Sequence, residues 1–215
     1  MHLKRQEVPK NWPIARKGST YVVNPNSNMG KGVPVLIVLR DMLKIVKNRN
    51  EAKKAINSKN IVLNGFFVKD EKESMTIFDK ISIIPSKKNY QLTLSEIGKF
   101  SLEEVSEEES KNKIAKVLNK KTLKGKKVQL NLNDGWNFIT NQQFKIQDSV
   151  IIDFKQKKIV KSIPLKESAK AMVFAGKHSG KKGIIKKVNL EKKMVELEDK
   201  KEKINALIKQ IIVIE

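Results

Sequence analysis

Apolar residues recur at intervals of three and four along the segment that begins at Pro34. The positions with this spacing are Val35, Val38, Leu39, Met42, Ile45 and Val46. Such spacing predicts an amphipathic helix, and proline is favoured in a first helical turn. A second helix is predicted immediately afterwards, because Asn48 and Glu51 match a capping box and a short apolar face extends from Ala52 to Ile56.

A β-hairpin is predicted after the second helix. The apolar runs 61–63 and 66–68 flank the pair Asn64-Gly65, and this pair between apolar runs is a strong signal for a two-residue hairpin turn. A further strand is predicted at 80–84, where Lys80 precedes three isoleucines and a serine. The segment 34–86 therefore reads as a small helix–helix–hairpin domain.

The remaining chain is predicted to be rich in short strands. Between residues 87 and 170 the predicted strands, separated by turn signals, are 90–94, 128–132, 138–139, 150–154 and 159–163. One helix is expected among them, because Ser106 and Glu109 match a capping box and Ile114, Val117 and Leu118 form a narrow stripe. From residue 171 onward, strands are predicted at 171–174, 183–187, 194–197 and 208–214. The predicted fold class is multi-domain α+β.

The net charge of the chain restricts the possible functions more than the pattern of apolar residues does. The chain carries 45 Lys and Arg residues against 23 Asp and Glu residues, a formal net charge of +22. Self-repulsion of this size favours a polyanionic partner, with nucleic acid first and an anionic membrane surface second. The longest apolar run, 33–39, is interrupted at once by Arg40, and it is too short to span a bilayer.

Several kinds of chemistry are not expected. Cysteine is absent, and the two histidines, His2 and His178, are far apart in the sequence. We therefore expect no disulfide and no metal site, in a protein of the cytosol. We also expect no cofactor and no small-molecule substrate. No hydrophobic stretch follows the basic N-terminus, so no targeting segment is expected.

Residues 1–33 lack usable periodicity and are rich in Gly, Asn and Pro toward their end. One interpretation is a floppy tail, and the other is a basic, extended arm that becomes ordered on RNA. In the second interpretation, Trp12 either stacks on a base or packs against a neighbouring domain. The cations of this segment that are candidate RNA contacts are Lys4, Arg5, Lys10, Arg16 and Lys17.

The segment 34–84 resembles the small helical RNA-binding fold first known from bacterial ribosomal protein four. The matching stretches are Asn48-Arg49-Asn50-Glu51-Ala52, Ile61-Val62-Leu63-Asn64-Gly65 and Asp79-Lys80-Ile81. The resemblance implies a rigid basic face that lies along folded RNA and neutralises phosphates. Its candidate contacts are Arg40, Lys44, Lys47, Arg49, Lys53, Lys54 and Lys59. The alternative is an ordinary solvated helix face.

The Gly-rich basic loop 176–183 resembles the KOW motif, in which such a loop joins the first two strands of a small SH3-like barrel and Gly183 matches the essential glycine. Its candidate RNA contacts are Lys177, His178, Lys181 and Lys182. A phosphate-binding loop of nucleotide hydrolases is excluded, because only three residues separate Gly176 from Gly180 and Lys182 stands where a hydroxyl is required.

The two motifs occur in the order that is typical of the archaeal and eukaryotic type of small-subunit ribosomal protein four. Dispersed, collinear matches include His2-Leu3-Lys4-Arg5, the run 34–40 and Asp148-Ser149-Val150-Ile151-Ile152-Asp153. The resemblance implies four segments: a basic arm 1–33, an RNA-binding domain 34–86, a central β-rich domain 87–170 and a KOW barrel 171–215. It also implies a structural, non-enzymatic role in the cytoplasmic ribosome, bound to small-subunit ribosomal RNA and neighbouring ribosomal proteins.

Two other functions are weighed against this one. An RNA-modifying enzyme can carry the helical domain as an accessory, but the sequence offers no methyl-donor or dinucleotide loop and no His/Cys cluster. A transcription elongation factor can carry KOW barrels, but such factors lack the helical domain upstream.

Arginine usage points to one region of the chain. The protein has four arginines among its 45 basic residues, and all four lie in the first 49 positions. A guanidinium presents a planar fork of donors, whereas an ammonium acts as a point charge. We therefore expect forked contacts, and the tightest RNA binding, in the arm and the helical domain.

Overall fold

The computed structural model describes residues 2–124, 127–189, 191–199 and 202–214. The chain forms two compact units. The first unit contains the chain up to Ser95 together with Lys99–Lys111, and the second contains Glu96–Gly98 and the chain from Asn112 onward. The sequence analysis divides the chain into four segments, and the structure forms two compact units.

The first predicted helix is present but short. It begins as an α-helix at Val35–Ile37 and continues as a π-helical turn over Val38–Met42. The Leu43 N–H donates to the Val38 carbonyl at 2.9 Å. A hydrogen bond between residues five apart is characteristic of a π-helical turn. Lys44 then has φ +55°, which ends the helix. The expected continuation to residue 46 was therefore wrong by about one turn, because the wide turn and the left-handed residue redirect the chain.

The second predicted helix is confirmed at Arg49–Asn57. The Asn48 side chain accepts a hydrogen bond from the Glu51 N–H at 3.0 Å. The Glu51 carboxylate accepts one from the Lys47 N–H at 2.7 Å, one residue before the cap. Ala52 and Ile56 are buried, as the apolar face predicted.

The predicted hairpin is also confirmed. Strands β4 (Ile61–Leu63) and β5 (Phe66–Phe67) pair across Asn64 and Gly65, which have φ values of +51° and +81°. Two positive φ angles match the turn that an Asn-Gly pair favours. The Asn64 amide donates to Asp79 Oδ1 at 2.7 Å and its oxygen accepts the Lys80 N–H at 3.0 Å, so the turn is fixed to the neighbouring strand.

The sheet of the first unit extends beyond residue 86. Its strand order is β5-β4-β7-β8-β9, where β7 is Lys80–Ile83, β8 is Lys88–Leu94 and β9 is Phe100–Val105. The antiparallel pairing of β8 with β7 joins Lys80 to Gln91 and Ile83 to Lys88. The strand expected near 90–94 is therefore confirmed, and it pairs with β7 in this sheet.

The N-terminal segment is folded onto the first unit. Strand β1 (Leu3–Lys4) pairs with β2 (Tyr21–Val22), with a 3₁₀ turn at Arg5–Glu7 between them. Strand β3 (Gly32–Pro34) pairs with β6 (Ser74–Thr76). Because its anchors are single buried residues such as Leu3 and Trp12, the segment carries no periodic pattern. The expected floppy tail or extended arm is not what the structure contains.

The second unit is built from two sheets. One has the order β12-β11-β10-β13-β14 and the other the order β18-β17-β16-β15-β19. The strands of the first of these sheets are β10 (Asn112–Thr122), β11 (Val128–Leu132), β12 (Asn137–Thr140), β13 (Ser149–Asp153) and β14 (Lys158–Ile163). Those of the second are β15 (Lys170–Val173), β16 (Lys182–Asn189), β17 (Met194–Asp199), β18 (Glu202–Leu207) and β19 (Ile211–Val213).

Sequence reasoning placed most of these strands. The strand predicted at 208–214 begins as a 3₁₀ turn at Ile208–Gln210 and is a strand over Ile211–Val213. The helix expected over 106–118 is wrong, because its second half is the long strand β10. The Ser106 hydroxyl does accept the Glu109 N–H at 3.4 Å, but this cap closes only a 3₁₀ turn at Glu109–Lys111. Strand β10 pairs with both β11 and β13, and this tertiary pairing outweighs the local helical signal. Strand β18 was not predicted.

Each sheet of the second unit has its own apolar core. One cluster includes Val117, Leu130 and Val150, and the other includes Ile185, Leu197 and Ile211.

In the described part of the chain, no helix is long and apolar enough to cross a membrane.

Two lysines on β10 are buried and have their acceptors inside the second unit. The Lys113 ammonium lies 2.6 Å from Asp134 Oδ2, and both side chains are almost fully buried. Lys116 is completely buried, and its ammonium donates to the Ile208 and Ile211 carbonyls. Since Lys116 belongs to one sheet and Ile211 to the other, this side chain connects the two sheets. Burial lowers the pKa of Lys116 from its ordinary 10.5 to about 8.

This pKa predicts a pH dependence of stability. Below about pH 8 the folded protein bears the full cost of a buried ammonium. Between about 8 and 10.5 the unfolded chain holds the proton more tightly, so the free energy of unfolding should rise with pH. We expect a gain on the order of 3 kcal/mol from this group, absent in Lys116→Met. Urea unfolding of both proteins at pH 7.5 and pH 10 measures it, and equal pH slopes would contradict the assignment.

Candidate nucleic-acid interface

The N-terminal segment forms one side of a basic cleft in the first unit, called here the N-terminal cleft, with a volume of about 1060 Å³. Its lining residues are Lys4, Arg5, Gln6, Val8, Pro9, Lys10, Trp12, Ile14, Ala15, Arg16, Lys17, Gly18, Ser19, Thr20 and Lys99. Six of these residues are cationic, and none of the described residues that line the cleft carries a carboxylate. The cleft therefore gathers the predicted contacts Lys4, Arg5, Lys10, Arg16 and Lys17.

Arg5 holds the cleft in shape. Its Nε donates to the Ser19 carbonyl at 2.7 Å, its Nη1 to the Ala15 carbonyl at 2.7 Å and its Nη2 to the Ser19 hydroxyl at 3.0 Å. Gly18 has φ +145°, and a Cβ built there would lie 3.0 Å from Arg5 Nη2. A bare backbone is thus needed beside the guanidinium. Arg5 contributes charge to the cleft, but its guanidinium nitrogens donate hydrogen bonds to Ala15 and Ser19 of the protein.

Trp12 cannot stack on a base in this structure. The side chain is 2% exposed, and its Nε1 donates to the Gly32 carbonyl at 2.9 Å. The suggestion of base stacking is therefore corrected, because burial and this hydrogen bond commit the ring to the core of the first unit. Of the two alternatives, packing is the one that the structure favours.

A second, smaller cleft in the same unit brings together three of the four arginines, and it is called here the arginine cleft. Its volume is about 510 Å³, and Arg5 and Ser19 also line the N-terminal cleft. The lining residues are His2, Leu3, Arg5, Ser19, Tyr21, Val22, Val23, Asn24, Leu36, Arg40, Arg49 and Lys72. The clustering of arginine in the first 49 positions thus corresponds to a cluster in space.

Two of these arginines bind carboxylates. Arg40 directs Nε and Nη2 at Asp41, with distances of 2.9–3.2 Å. Arg49 directs Nε and Nη2 at Glu71 Oε1, at 2.9 and 2.5 Å. Glu71 is 5% exposed, so Arg49 supplies the countercharge of a buried acid. Both guanidiniums thus make forked contacts to carboxylates of the protein itself, and the forked contacts to RNA expected for this region stay a prediction.

The other predicted cations of the helical segment lie on its surface. Lys44, Lys47, Lys53, Lys54 and Lys59 are exposed, and they line neither cleft. The Lys53 ammonium lies 4.0 Å from Glu71 Oε1 and adds to the charge opposite that acid. These five side chains are exposed at the surface, but they do not line either cleft.

The predicted basic loop 176–183 belongs to the second unit. It joins β15 to β16, with Lys177 and Lys182 exposed and His178 and Lys181 partly buried. The Gly180 N–H donates to the Val173 carbonyl at 2.7 Å, which closes the base of the loop. A Cβ on Gly183 would lie 2.7 Å from the Glu198 carbonyl oxygen. Gly183 is thus needed for close approach of two strands.

Among the aromatic and cationic residues that line the two clefts, sequence reasoning missed four, namely His2, Tyr21, Lys72 and Lys99. The His2 and Tyr21 rings lie 5.3 Å apart between centroids, tilted by 50°. Aromatic residues among cations are a usual feature of RNA-binding surfaces, and this was the available signal. Tyr21 lies in a segment without a periodic apolar pattern, so its neighbours in sequence do not indicate where its ring lies.

Burial and hydrogen bonding shift two pKa values in the first unit. Burial lowers the pKa of the Lys80 ammonium, and the Glu109 carboxylate opposes this effect. For Asp70, burial raises the pKa, but hydrogen bonds from the Asn26 amide and the Lys72 N–H outweigh it and leave the pKa below its ordinary value. Among the residues that the structure describes, no three potential ligands gather into a metal site.

Comparisons with known proteins give one consistent family. The chain matches the family model "Ribosomal family S4e" over residues 86–159 and the RS4NT domain over residues 1–27. It is 37% identical to small ribosomal subunit protein eS4 of Methanocella arvoryzae, over 88% of this chain and 81% of that protein. It is 34% identical to eS4 of Methanothermobacter thermautotrophicus, over 88% of this chain and 79% of that protein.

A solved structure has the same fold. The crystal structure of the 30S ribosomal protein S4e from Thermoplasma acidophilum superposes with a TM-score of 0.74, covering 86% of this chain and 95% of that one at 24% identity. At 24% identity this match shows that the two chains share a fold. In the present chain that fold consists of many strands and a few short helices.

The contact between Arg49 and Glu71 predicts a stability effect that an RNA-facing arginine would not have. Arg49→Met removes the guanidinium beside a buried carboxylate and leaves the Lys53 ammonium 4.0 Å away from it. We expect a loss of roughly 1 kcal/mol in the free energy of unfolding, reduced by the partial exposure of the guanidinium. Adding Glu71→Gln to this variant should recover part of the loss, since the unpaired charge is removed.

Arg16→Met is the matched control, because Arg16 is exposed in the N-terminal cleft. Urea unfolding without RNA should leave this variant unchanged. If Arg49→Met and Arg16→Met were equally stable, the structural role of Arg49 would be refuted.

Proposed function

The chain belongs to the S4e family of ribosomal proteins, and we propose that it binds small-subunit ribosomal RNA through the two clefts of its first unit. Family membership identifies it as an eS4-type protein of the small ribosomal subunit, and it confirms that the chain is a structural ribosomal protein and not an enzyme. The two alternatives, an accessory of an RNA-modifying enzyme and an elongation factor, have no support among these relatives, which match 88% of the chain.

The observation that carries the RNA proposal is the composition of the N-terminal cleft. Six cationic side chains line it, and none of its described lining residues is acidic. Elsewhere the chain does use carboxylates against cations, as at Asp41, Glu71 and Asp134. A concave surface that gathers cations without acids favours a polyanion, and RNA phosphates release counterions when they are neutralised.

We further propose that the helical segment 34–84 and the segment 171–215 act as the helical RNA-binding domain and the KOW barrel of this family. The capped helix Arg49–Asn57, followed by the Asn64-Gly65 hairpin, supports the first assignment. The strand order β18-β17-β16-β15-β19 and the close approach at Gly183 support the second. The segments 1–33 and 87–170 complete the proposed division.

The remaining candidate contacts are proposed as phosphate ligands outside the clefts. On the helical segment they are Lys44, Lys47, Lys53, Lys54 and Lys59, and on the basic loop they are Lys177, His178, Lys181 and Lys182. An ammonium binds phosphate as a point charge, so these contacts contribute affinity without base recognition. The proposed partners are small-subunit ribosomal RNA and neighbouring proteins of the small subunit, within the cytoplasmic ribosome.

Removing two cations from the N-terminal cleft tests the proposal. Lys10 and Lys17 are exposed lining residues. We expect Lys10→Gln with Lys17→Gln to weaken binding to small-subunit ribosomal RNA by at least roughly tenfold near 0.1 M salt. The slope of log affinity against log salt should fall by about 1.5, since each phosphate contact contributes about 0.7–0.9. Filter binding over a salt series measures both quantities.

The control is Lys155→Gln with Lys166→Gln, which removes the same charge from two exposed positions of the second unit. We expect this pair to change the slope by less than half as much. Equal losses for the two double variants would show that only total charge matters, and the cleft proposal would then fail.

A further inference from the structure

We propose that the arginine cleft is a pocket for a single unpaired nucleotide of RNA, with the base stacked on Tyr21 and the phosphate bound by cations of the cleft. The inference rests on the proposed function, since the nucleotide is part of the bound RNA. It goes further by assigning one pocket to one nucleotide, whereas a phosphate-binding surface contacts the RNA backbone alone.

The pocket has the size and access that a nucleotide needs. Its volume of about 510 Å³ lies within the range of about 300–1,000 Å³ that is usual for small-molecule sites. Tyr21 lines the cleft and is 57% exposed, so its ring is open to solvent. A base that leaves a helical stack can therefore reach the ring.

The lining combines the two kinds of surface that a nucleotide presents. Leu3, Val22 and Leu36 supply apolar side chains, and Leu3 and Leu36 are themselves buried in the core. The His2 ring lies against Tyr21, 5.3 Å between centroids, and limits how that ring can turn. An aromatic ring held beside apolar side chains is a platform for any base, because every base has a π face.

The cations of the cleft are held in place before any ligand arrives. Arg40 is fixed by Asp41, and Arg49 is fixed by Glu71, in each case through Nε and Nη2. This arrangement leaves Nη1 of each guanidinium as the donor for a ligand. Lys72 adds a charge, and none of the described lining residues is acidic. Fixed donors lose little freedom on binding an anion, which favours a phosphate at a defined position.

The position of the pocket favours a nucleotide within a strand over a free nucleotide. The arginine cleft and the N-terminal cleft share Arg5 and Ser19 as lining residues. A backbone that follows the cations of the larger cleft therefore passes the entrance of the smaller one. One nucleotide can then turn into the pocket while its neighbours stay on the phosphate-binding surface.

The test separates stacking from charge. In Tyr21→Leu the ring is lost without any change of charge, and in Tyr21→Phe the ring is kept. We expect Tyr21→Leu to bind small-subunit ribosomal RNA between about five- and hundredfold more weakly, with the same salt slope as the parent. Tyr21→Phe should bind like the parent. If Tyr21→Leu retains parental affinity, or if its loss appears as a reduced salt slope, the pocket proposal is wrong.

A second measurement does not depend on the folding of any variant. Ultraviolet crosslinking of the parent complex identifies the nucleotide attached to Tyr21, and that position is then made abasic in the RNA. We expect the abasic RNA to bind the parent protein as weakly as intact RNA binds Tyr21→Leu, and to bind Tyr21→Leu no more weakly still. If the abasic RNA and Tyr21→Leu together weaken binding by the product of their separate effects, the proposal is wrong. It is also wrong if no crosslink forms at Tyr21.

Free mononucleotides distinguish the source of the ligand. Adenosine and uridine monophosphates at millimolar concentration should not compete with the RNA, and effective competition would indicate a free-nucleotide site instead. A parent protein that fails to bind the RNA at all would instead refute the proposed function. Parental binding by Tyr21→Leu, together with a loss in the Lys10 and Lys17 double variant, would refute the pocket alone.

Discussion

Mutual repulsion among cationic side chains is the constraint on which the rest of this structure depends. A formal net charge of +22 on 215 residues opposes compaction, and the apolar cores of two modest units must overcome it. The fold meets this constraint by giving selected cations acceptors inside the protein. Lys113 faces Asp134, and Lys116 donates to the carbonyls of Ile208, in a 3₁₀ turn, and Ile211, in a strand of the other sheet. Both charges thereby connect parts of the second unit.

The first unit uses the same device with arginine, and the result bears on function. Arg5 is held by backbone carbonyls, Arg40 by Asp41 and Arg49 by Glu71. Each guanidinium is fixed by the protein, so its remaining surface is presented to the clefts at a set position. Exposed lysines then supply the charge that has no internal acceptor. Three of the four arginines are held in this way, and the fourth, Arg16, is exposed in the N-terminal cleft.

Local signals predicted local structure well. The Asn64-Gly65 turn and the Asn48 cap involve backbone conformations and hydrogen bonds that neighbouring residues determine. The helix expected over 106–118 was wrong because strand β10 pairs with the next strand, β11, and also with β13, which lies further along the chain. The N-terminal segment failed for a related reason, since single anchors such as Trp12 leave no periodic pattern.

The candidate site was predictable only in part. Charge and resemblance identified the cations, but Glu71 lies 22 residues after Arg49, so no local signal paired them. Tyr21 joins the arginines only because β1 and β2 pair across the 3₁₀ turn and the loop between them. Sequence could therefore indicate which residue types matter and roughly where, whereas the shape of the two clefts depends on contacts that only the folded chain establishes.

The central claim is that RNA lies in the clefts of the first unit, and lysine footprinting tests it most directly. The protein is acetylated with and without bound small-subunit ribosomal RNA, and the modification of each lysine is measured by mass spectrometry. We expect strong protection of Lys4, Lys10, Lys17 and Lys99, with Lys155 remaining reactive. Full reactivity of the cleft lysines in the complex, with protection confined to other surfaces, would contradict the account.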